Sequence, residues 1–84
     1  MNYTKQHFAS ELREQIRFGW DVVRIARWAH AVFMEHARDL EPGLQPVIMK
    51  VVAMEEGPEF ELTKRELEAL AETLSASSTH GPVT

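Results

Sequence analysis

The sequence predicts an all-α fold, a small single-domain bundle of about four helices, and two observations support this prediction. Apolar residues recur at steps of three and four along four segments, which is the spacing of one helix face. Glycine and proline punctuate the chain between these segments, where helices are expected to end. The 84 residues suffice for one domain and include no cysteine, so a single apolar core, or a second copy of the chain, must supply the stability.

The first two helices are predicted on either side of Gly19. Thr4 is a favourable N-cap for a helix that runs to about Phe18, and Gly19 is the residue type that most often ends a helix. Asp21 is the expected N-cap of a second helix that reaches about Leu40. Apolar residues cover more than half of the circumference of this second helix, so we expect it to be the central one.

The third helix is predicted from about Leu44 to Glu55, after a proline- and glycine-containing loop. Its valine and isoleucine content leaves a strand as an alternative, but apolar residues at 44, 47, 48, 51 and 52 fit a helical face better. Pro46 is expected in its first turn, where proline is tolerated.

The fourth helix begins at a capping box formed by Thr63 and Glu66, and its buried stripe extends to Leu74. The helical domain is therefore expected over residues 1–75. Residues 76–84 contain little to bury and are expected to form a flexible tail. The pattern does not decide between an antiparallel bundle and a more orthogonal packing.

Charge is distributed unevenly along the chain, whose formal net charge is −4. Residues 1–40 carry a net +1 and residues 41–84 a net −5. An acidic half repels phosphate backbones and attracts basic partners, so general binding to nucleic acid or to an anionic membrane is disfavoured. No apolar run approaches the length of about 20 residues that spans a membrane, and the first residues lack an apolar signal core. A cytoplasmic location is expected.

Catalytic and metal-binding motifs are weak in this sequence. It has no cysteine nucleophile, no Gly-x-Ser-x-Gly elbow and no glycine-rich phosphate loop, so we expect a non-enzymatic protein without a cofactor. His36 and Asp39 have the spacing of two metal ligands on one helix face. Because the fuller helical metal motifs are absent, no metal site is predicted, and a small metal or ligand binder ranks third among the functions considered.

The strongest candidate site is the segment from residue 55 to residue 61, which we call the acidic connector. Two of its glutamates fall at a helix C-terminus, where the helix dipole disfavours negative charge, and no lysine or arginine three or four residues earlier compensates. An aromatic residue follows between two further carboxylates. We expect this surface to dock a basic partner, such as a toxin or a regulatory protein, with the ring as an anchor. The predicted binding residues are Glu55, Glu56, Glu59, Phe60 and Glu61.

A structural explanation of the acidic connector is the alternative. Phe60 and Leu62 would then fill the bottom of the core, and the glutamates would pair with arginines of the second helix, namely Arg24, Arg27 or Arg38.

A basic and aromatic stripe along the first two helices supports a second function, that of a nucleic-acid-associated helical regulator acting as a dimer. Arginine can bind phosphates while aromatic rings stack on single-stranded bases. The alternative is that the tryptophans belong to the core and the arginines pair with glutamates. The stripe consists of Arg13, Arg17, Trp20, Arg24, Arg27 and Trp28.

Large apolar residues exceed what four short helices easily cover, which predicts a homodimer. If the second helix is central, it could instead cover all of them within one copy. These residues are Trp20, Trp28, Phe33, Met34 and Met49.

Overall fold

The computed structural model describes residues 2–78 of the chain, with side chains as far as residue 76. Two short 3-10 helices, Ala53–Glu56 and Pro58–Phe60, connect the third α-helix to the fourth. Within residues 2–78 there is no strand, only an isolated backbone bridge, so the predicted all-α class is confirmed. The four α-helices are α1 (Lys5–Phe18), α2 (Val22–His36), α3 (Leu44–Val52) and α4 (Lys64–Ser78).

Helix α1 has the predicted ends. The Thr4 hydroxyl accepts a hydrogen bond from the backbone N–H of His7 at 3.0 Å, which satisfies one free donor of the first turn. Gly19 has a φ of +140°, and its N–H donates to the carbonyl of Ile16. A side chain at residue 19 would be strained at this φ, which explains the glycine.

Helix α2 begins after the predicted Asp21 cap, whose carboxylate accepts from the N–H of Arg24 at 3.1 Å. It ends at His36, so the prediction that it reaches Leu40 was wrong. The reason is a tertiary contact, because the N-terminal segment pairs with the backbone on either side of Leu40. Tyr3 donates its N–H to the carbonyl of Asp39 and accepts from the N–H of Glu41.

Helix α3 confirms a helix in place of the alternative strand, with Pro46 in its first turn. It ends at Val52, three residues before the predicted Glu55, but the chain continues as a 3-10 helix to Glu56. Tightening of this kind is common at helix ends. The following proline disfavours a helical backbone at Gly57 and so ends the segment.

The capping box of α4 is confirmed. The N–H of Glu66 donates to the Thr63 hydroxyl at 3.0 Å, and the N–H of Thr63 donates to the Glu66 carboxylate at 2.8 Å. Helix α4 includes residues 76–78, which had been assigned to the tail, and Ala76 is a strong helix former. The rest of the predicted tail, residues 79–84, lies outside the described residues.

The helices pack as two pairs, with α1 along α4 and α2 along α3. Helix α2 also contacts the 3-10 helix Ala53–Glu56 and, more slightly, α1. The rings of Phe8 and Trp28 stack at a centroid distance of 5.0 Å and join the two pairs. The largest fully buried side chains form one core and are Phe8, Leu12, Ile25, Leu44, Ile48, Met54, Leu67 and Val51.

Candidate protein-binding surface

The acidic connector is held in place by apolar residues on both sides of it. Met54 precedes it and is fully buried, and Leu62 follows it and packs against the core. Two backbone hydrogen bonds between residues three positions apart form the turns of its second half. The N–H of Phe60 donates to the carbonyl of Gly57, and the N–H of Glu61 donates to the carbonyl of Pro58. The fixed ends and the 3-10 turns give its exposed side chains a defined support.

Phe60 does not belong to the core. This residue is 49% exposed, whereas Leu62, two residues later, is packed against buried residues. The structural explanation therefore applies to Leu62 and not to Phe60. An aromatic ring that is half-exposed between Glu59 and Glu61 is available for contact with another molecule.

One of the four connector glutamates has a basic partner within the chain. The Glu55 carboxylate lies 3.5 Å from Nε of Arg27, which is the pairing that the structural explanation expects. The carboxylates of Glu56, Glu59 and Glu61 make no ion pair and no hydrogen bond with any described residue. Most of the negative charge of the connector is thus uncompensated by its own fold.

Three of the six residues of the predicted basic and aromatic stripe make contacts within the chain. Arg24 donates to the carbonyls of Gln15 and Gly19, at 2.6 and 2.9 Å, and so satisfies the C-terminal end of α1. Trp28 is half-buried against Phe8, and Arg27 forms the ion pair with the connector. Arg24 and Trp28 therefore serve the fold itself, and Arg27 pairs with Glu55 of the connector.

Two residues of the stripe lie near Lys64, a basic residue that the sequence analysis did not include in any site. Arg13 and Arg17 line an open groove of about 480 Å³ between α1 and α4, together with Lys64. We call these three residues the basic groove. Its remaining lining residues are Ile16 and Glu68.

The cations of the basic groove have little compensation. Arg17 lies 3.8 Å from Glu14, while Arg13 and Lys64 make no ion pair with any residue in the described range. A signal for Lys64 exists in the sequence, because it occupies the first turn of α4, where the helix dipole disfavours positive charge.

Of the five large apolar residues that predicted a homodimer, some pack against the core and others are exposed. Trp28 and Phe33 pack against the core, whereas Trp20, Met34 and Met49 are exposed. The structure adds Phe18 and Val23, which flank Trp20 at the α1–α2 junction and are also exposed. Apolar surface therefore remains uncovered on the single chain.

His36 and Asp39 do come together, with Nδ1 of the imidazole 3.5 Å from the carboxylate. Neither is joined by a third ligand, since no group of three histidine, cysteine, aspartate or glutamate side chains among the described residues could hold a metal ion. The ring of His36 instead stacks on Tyr3 at a centroid distance of 4.3 Å. The packing of the His36 ring on Tyr3 gives His36 a structural role without a metal ion.

Comparisons with protein-family models, with curated proteins and with solved structures found no match for this chain. None of the helices in residues 2–78 has the length and apolar character needed to cross a bilayer.

Proposed function

We propose that this chain is a non-enzymatic protein–protein interaction module of the cytoplasm that docks a basic partner, such as a toxin or a regulatory protein, on its acidic connector. The observation that carries the proposal is the exposure of Phe60 between unpaired carboxylates. Aromatic anchors supply much of the binding energy in protein interfaces, and surrounding charge speeds association and selects the partner.

The support of the connector favours this role. Its ends are fixed by Met54 and Leu62, so little conformational entropy is lost when a partner binds its exposed side chains. Glu55 pairs with Arg27 of α2, and the other three carboxylates of the connector are free of ion pairs with the described residues. A depression of about 290 Å³ that Glu55 and Glu56 help to line adjoins the connector and offers space for a partner side chain.

A pull-down from the native lysate tests the proposal when matched variants are compared. Glu59→Gln/Glu61→Gln and Phe60→Ala alter the connector, and Glu14→Gln/Glu72→Gln removes the same charge from exposed positions on α1 and α4. Mass spectrometry should identify a basic protein that the wild type and the α1/α4 variant capture and that both connector variants lose. If no captured protein depends on the connector, the proposal is wrong.

The alternative function, a nucleic-acid-associated regulator, retains support from one observation. Arg13, Arg17 and Trp20 remain exposed, although the other three stripe residues are engaged within the chain. Retention on a single-stranded DNA column that falls with salt, and that Arg13→Gln/Arg17→Gln abolishes, would favour this function. Unchanged retention in that variant would exclude the stripe as the binding surface.

A further inference from the structure

The basic groove carries positive charge where the fold alone disfavours it. Arg13 and Arg17 are four residues apart on α1, so their like charges face each other on the same side of the helix. Lys64 lies across the groove in the first turn of α4, next to the positive end of the helix dipole. Glu68 is the single carboxylate that lines the groove. An anionic group from outside would relieve this repulsion.

The acidic connector has the opposite charge and lies close by. Glu61 precedes Lys64 by three residues, which places their Cα atoms within about 11 Å of each other even for a fully extended chain. Within the described residues the two surfaces do not neutralise each other, because neither Lys64 nor Glu61 makes an ion pair. One chain thus presents neighbouring acidic and basic surfaces that are both unsatisfied.

We propose that the basic groove and the acidic connector are the two halves of a self-complementary interface, and that the partner is a second copy of this chain. In a two-fold dimer the same patch of both copies meets across the axis, so the connector of each copy can face the groove of the other. Both charge pairings then form at once, and Phe60 is covered in the same contact. This inference rests on the proposed function, because it uses the connector as a docking surface and takes the basic groove of a second copy as the basic surface that the connector binds.

Charge complementarity favours a second copy over a nucleic acid. A phosphate backbone that entered the groove would also approach the carboxylates of the connector, which repel it. A second copy supplies anions to the groove and cations to the connector together, and it leaves neither surface unmatched.

A charge-swap experiment tests the interface on the full chain. The groove variant Arg13→Glu/Lys64→Glu makes the groove acidic, and the connector variant Glu59→Lys/Glu61→Lys places a lysine on either side of Phe60. All four positions are exposed, and a glutamate at residue 64 suits the first turn of a helix, so both variants should fold. Circular dichroism checks this, and sedimentation velocity across a concentration series measures assembly.

The expected result is a wild-type dimer that weakens as salt is raised from about 0.02 M to about 1 M, because exposed charges are then screened. Each variant alone should be monomeric. An equimolar mixture of the two should restore a dimer, since the acidic groove of one then meets the two introduced lysines of the other, and its unchanged connector meets the unchanged groove. Restoration in the mixture is the decisive outcome, because a merely structural effect of the substitutions would not produce it.

Two results would overturn the inference. A wild type that stays monomeric at low salt and high concentration, or a mixture that stays monomeric, excludes the self-complementary interface. If such a monomer still captures a basic protein through its connector, the proposed function stands and only the second copy is excluded. If it instead binds a labelled single-stranded DNA oligonucleotide through Arg13 and Lys64, the groove serves the alternative function.

Discussion

Tyr3 donates its phenolic hydrogen to the carboxylate of Glu11, with 2.5 Å between the two oxygens. Its ring is buried between the imidazoles of His7 and His36, at centroid distances of 4.7 and 4.3 Å. Its backbone pairs with the residues around Leu40. A single residue thus fastens the N-terminal segment to α1 and to the chain that follows α2.

The environment of Tyr3 predicts that the stability of the fold falls at alkaline pH. Burial first, then the hydrogen bond to Glu11 and the charges of Glu11 and Glu35, raise the pKa of Tyr3 above its ordinary value. Below a pH of about 10 the phenol is neutral in both the folded and the unfolded chain, and its contribution to stability is fully present. As the pH rises above about 10, only the unfolded chain ionises, so stability should fall.

Tyrosinate absorbance measures this directly, because Tyr3 is the only tyrosine of the chain. The folded protein should show no ionisation where the chain in urea titrates, at a pH of about 10. Tyr3→Phe should lose about 1 kcal/mol at neutral pH through the missing hydrogen bond and should lose less stability at high pH. A folded protein whose tyrosine titrates together with the urea-unfolded chain would contradict the buried placement.

Arg24 should contribute to stability, although it resembles a surface arginine in the sequence. It satisfies two carbonyls at the end of α1, so Arg24→Met should destabilise the domain by about 1–3 kcal/mol. Arg17→Met is the matched control, because Arg17 is exposed and makes one loose ion pair, and it should change stability by less than about 0.5 kcal/mol. Urea unfolding measures both. Equal effects of the two substitutions would show that the carbonyl contacts contribute nothing.

The capping box should account for part of the stability of α4. Thr63→Ala removes the acceptor of the Glu66 N–H and should cost about 1 kcal/mol. Thr73→Ala places the same substitution at an exposed position inside α4, where alanine is the better helix former, and should leave the melting temperature unchanged or slightly raised. If the two variants melt alike, the cap does not stabilise the helix.

Buried aliphatic residues from the two helix pairs should be about equally important. Val51 of α3 and Leu67 of α4 are fully buried, so truncation of either to alanine should cost about 2–4 kcal/mol. Val23→Ala on the exposed face of α2 is the control and should have an effect of less than about 0.5 kcal/mol. Chemical denaturation of the three variants tests whether one cooperative core joins both pairs. A loss from Leu67→Ala alone would indicate that α2 and α3 unfold separately.

Local signals predicted the parts of the fold that depend on neighbouring residues. Thr4, Asp21 and Thr63 each cap the helix that follows them, as their sequence positions indicate, because a cap uses only backbone within one turn. The end of α2 depends on Tyr3, more than 30 residues earlier in the chain, and no periodicity reports such a contact. Helix ends set by tertiary pairing therefore escaped prediction.

In the candidate sites too, features set by neighbouring residues were visible in the sequence, and features set by tertiary contacts were not. The unpaired charge of Glu56 was visible in the sequence, because compensation along a helix comes from residues three or four positions away, whereas Glu55 pairs with Arg27 of another helix. The basic groove was not, since Lys64 meets Arg13 and Arg17 through the packing of α4 on α1. The role of Arg24 was hidden for the same reason, because carbonyls five and nine residues earlier accept its hydrogen bonds.

Substitutions at exposed positions of the connector should affect partner binding and leave the stability of the fold nearly unchanged. Phe60→Ala removes a half-exposed ring and should change the free energy of unfolding by less than about 1 kcal/mol, whereas Met54→Ala, at a buried position just before the connector, should cost about 2–5 kcal/mol. Glu56→Gln should hold or slightly raise stability because it removes an unpaired charge from an unfavourable helix end.

Glu55→Gln should cost no more than about 0.5 kcal/mol, since its pair with Arg27 is exposed. Once a partner is in hand, Phe60→Ala should speed dissociation, and Glu59→Gln/Glu61→Gln should slow association, most strongly at low salt. Thermal melts of these variants come first, because a Phe60→Ala chain that unfolds with Met54→Ala would place the ring in the core and remove it from the surface as an anchor.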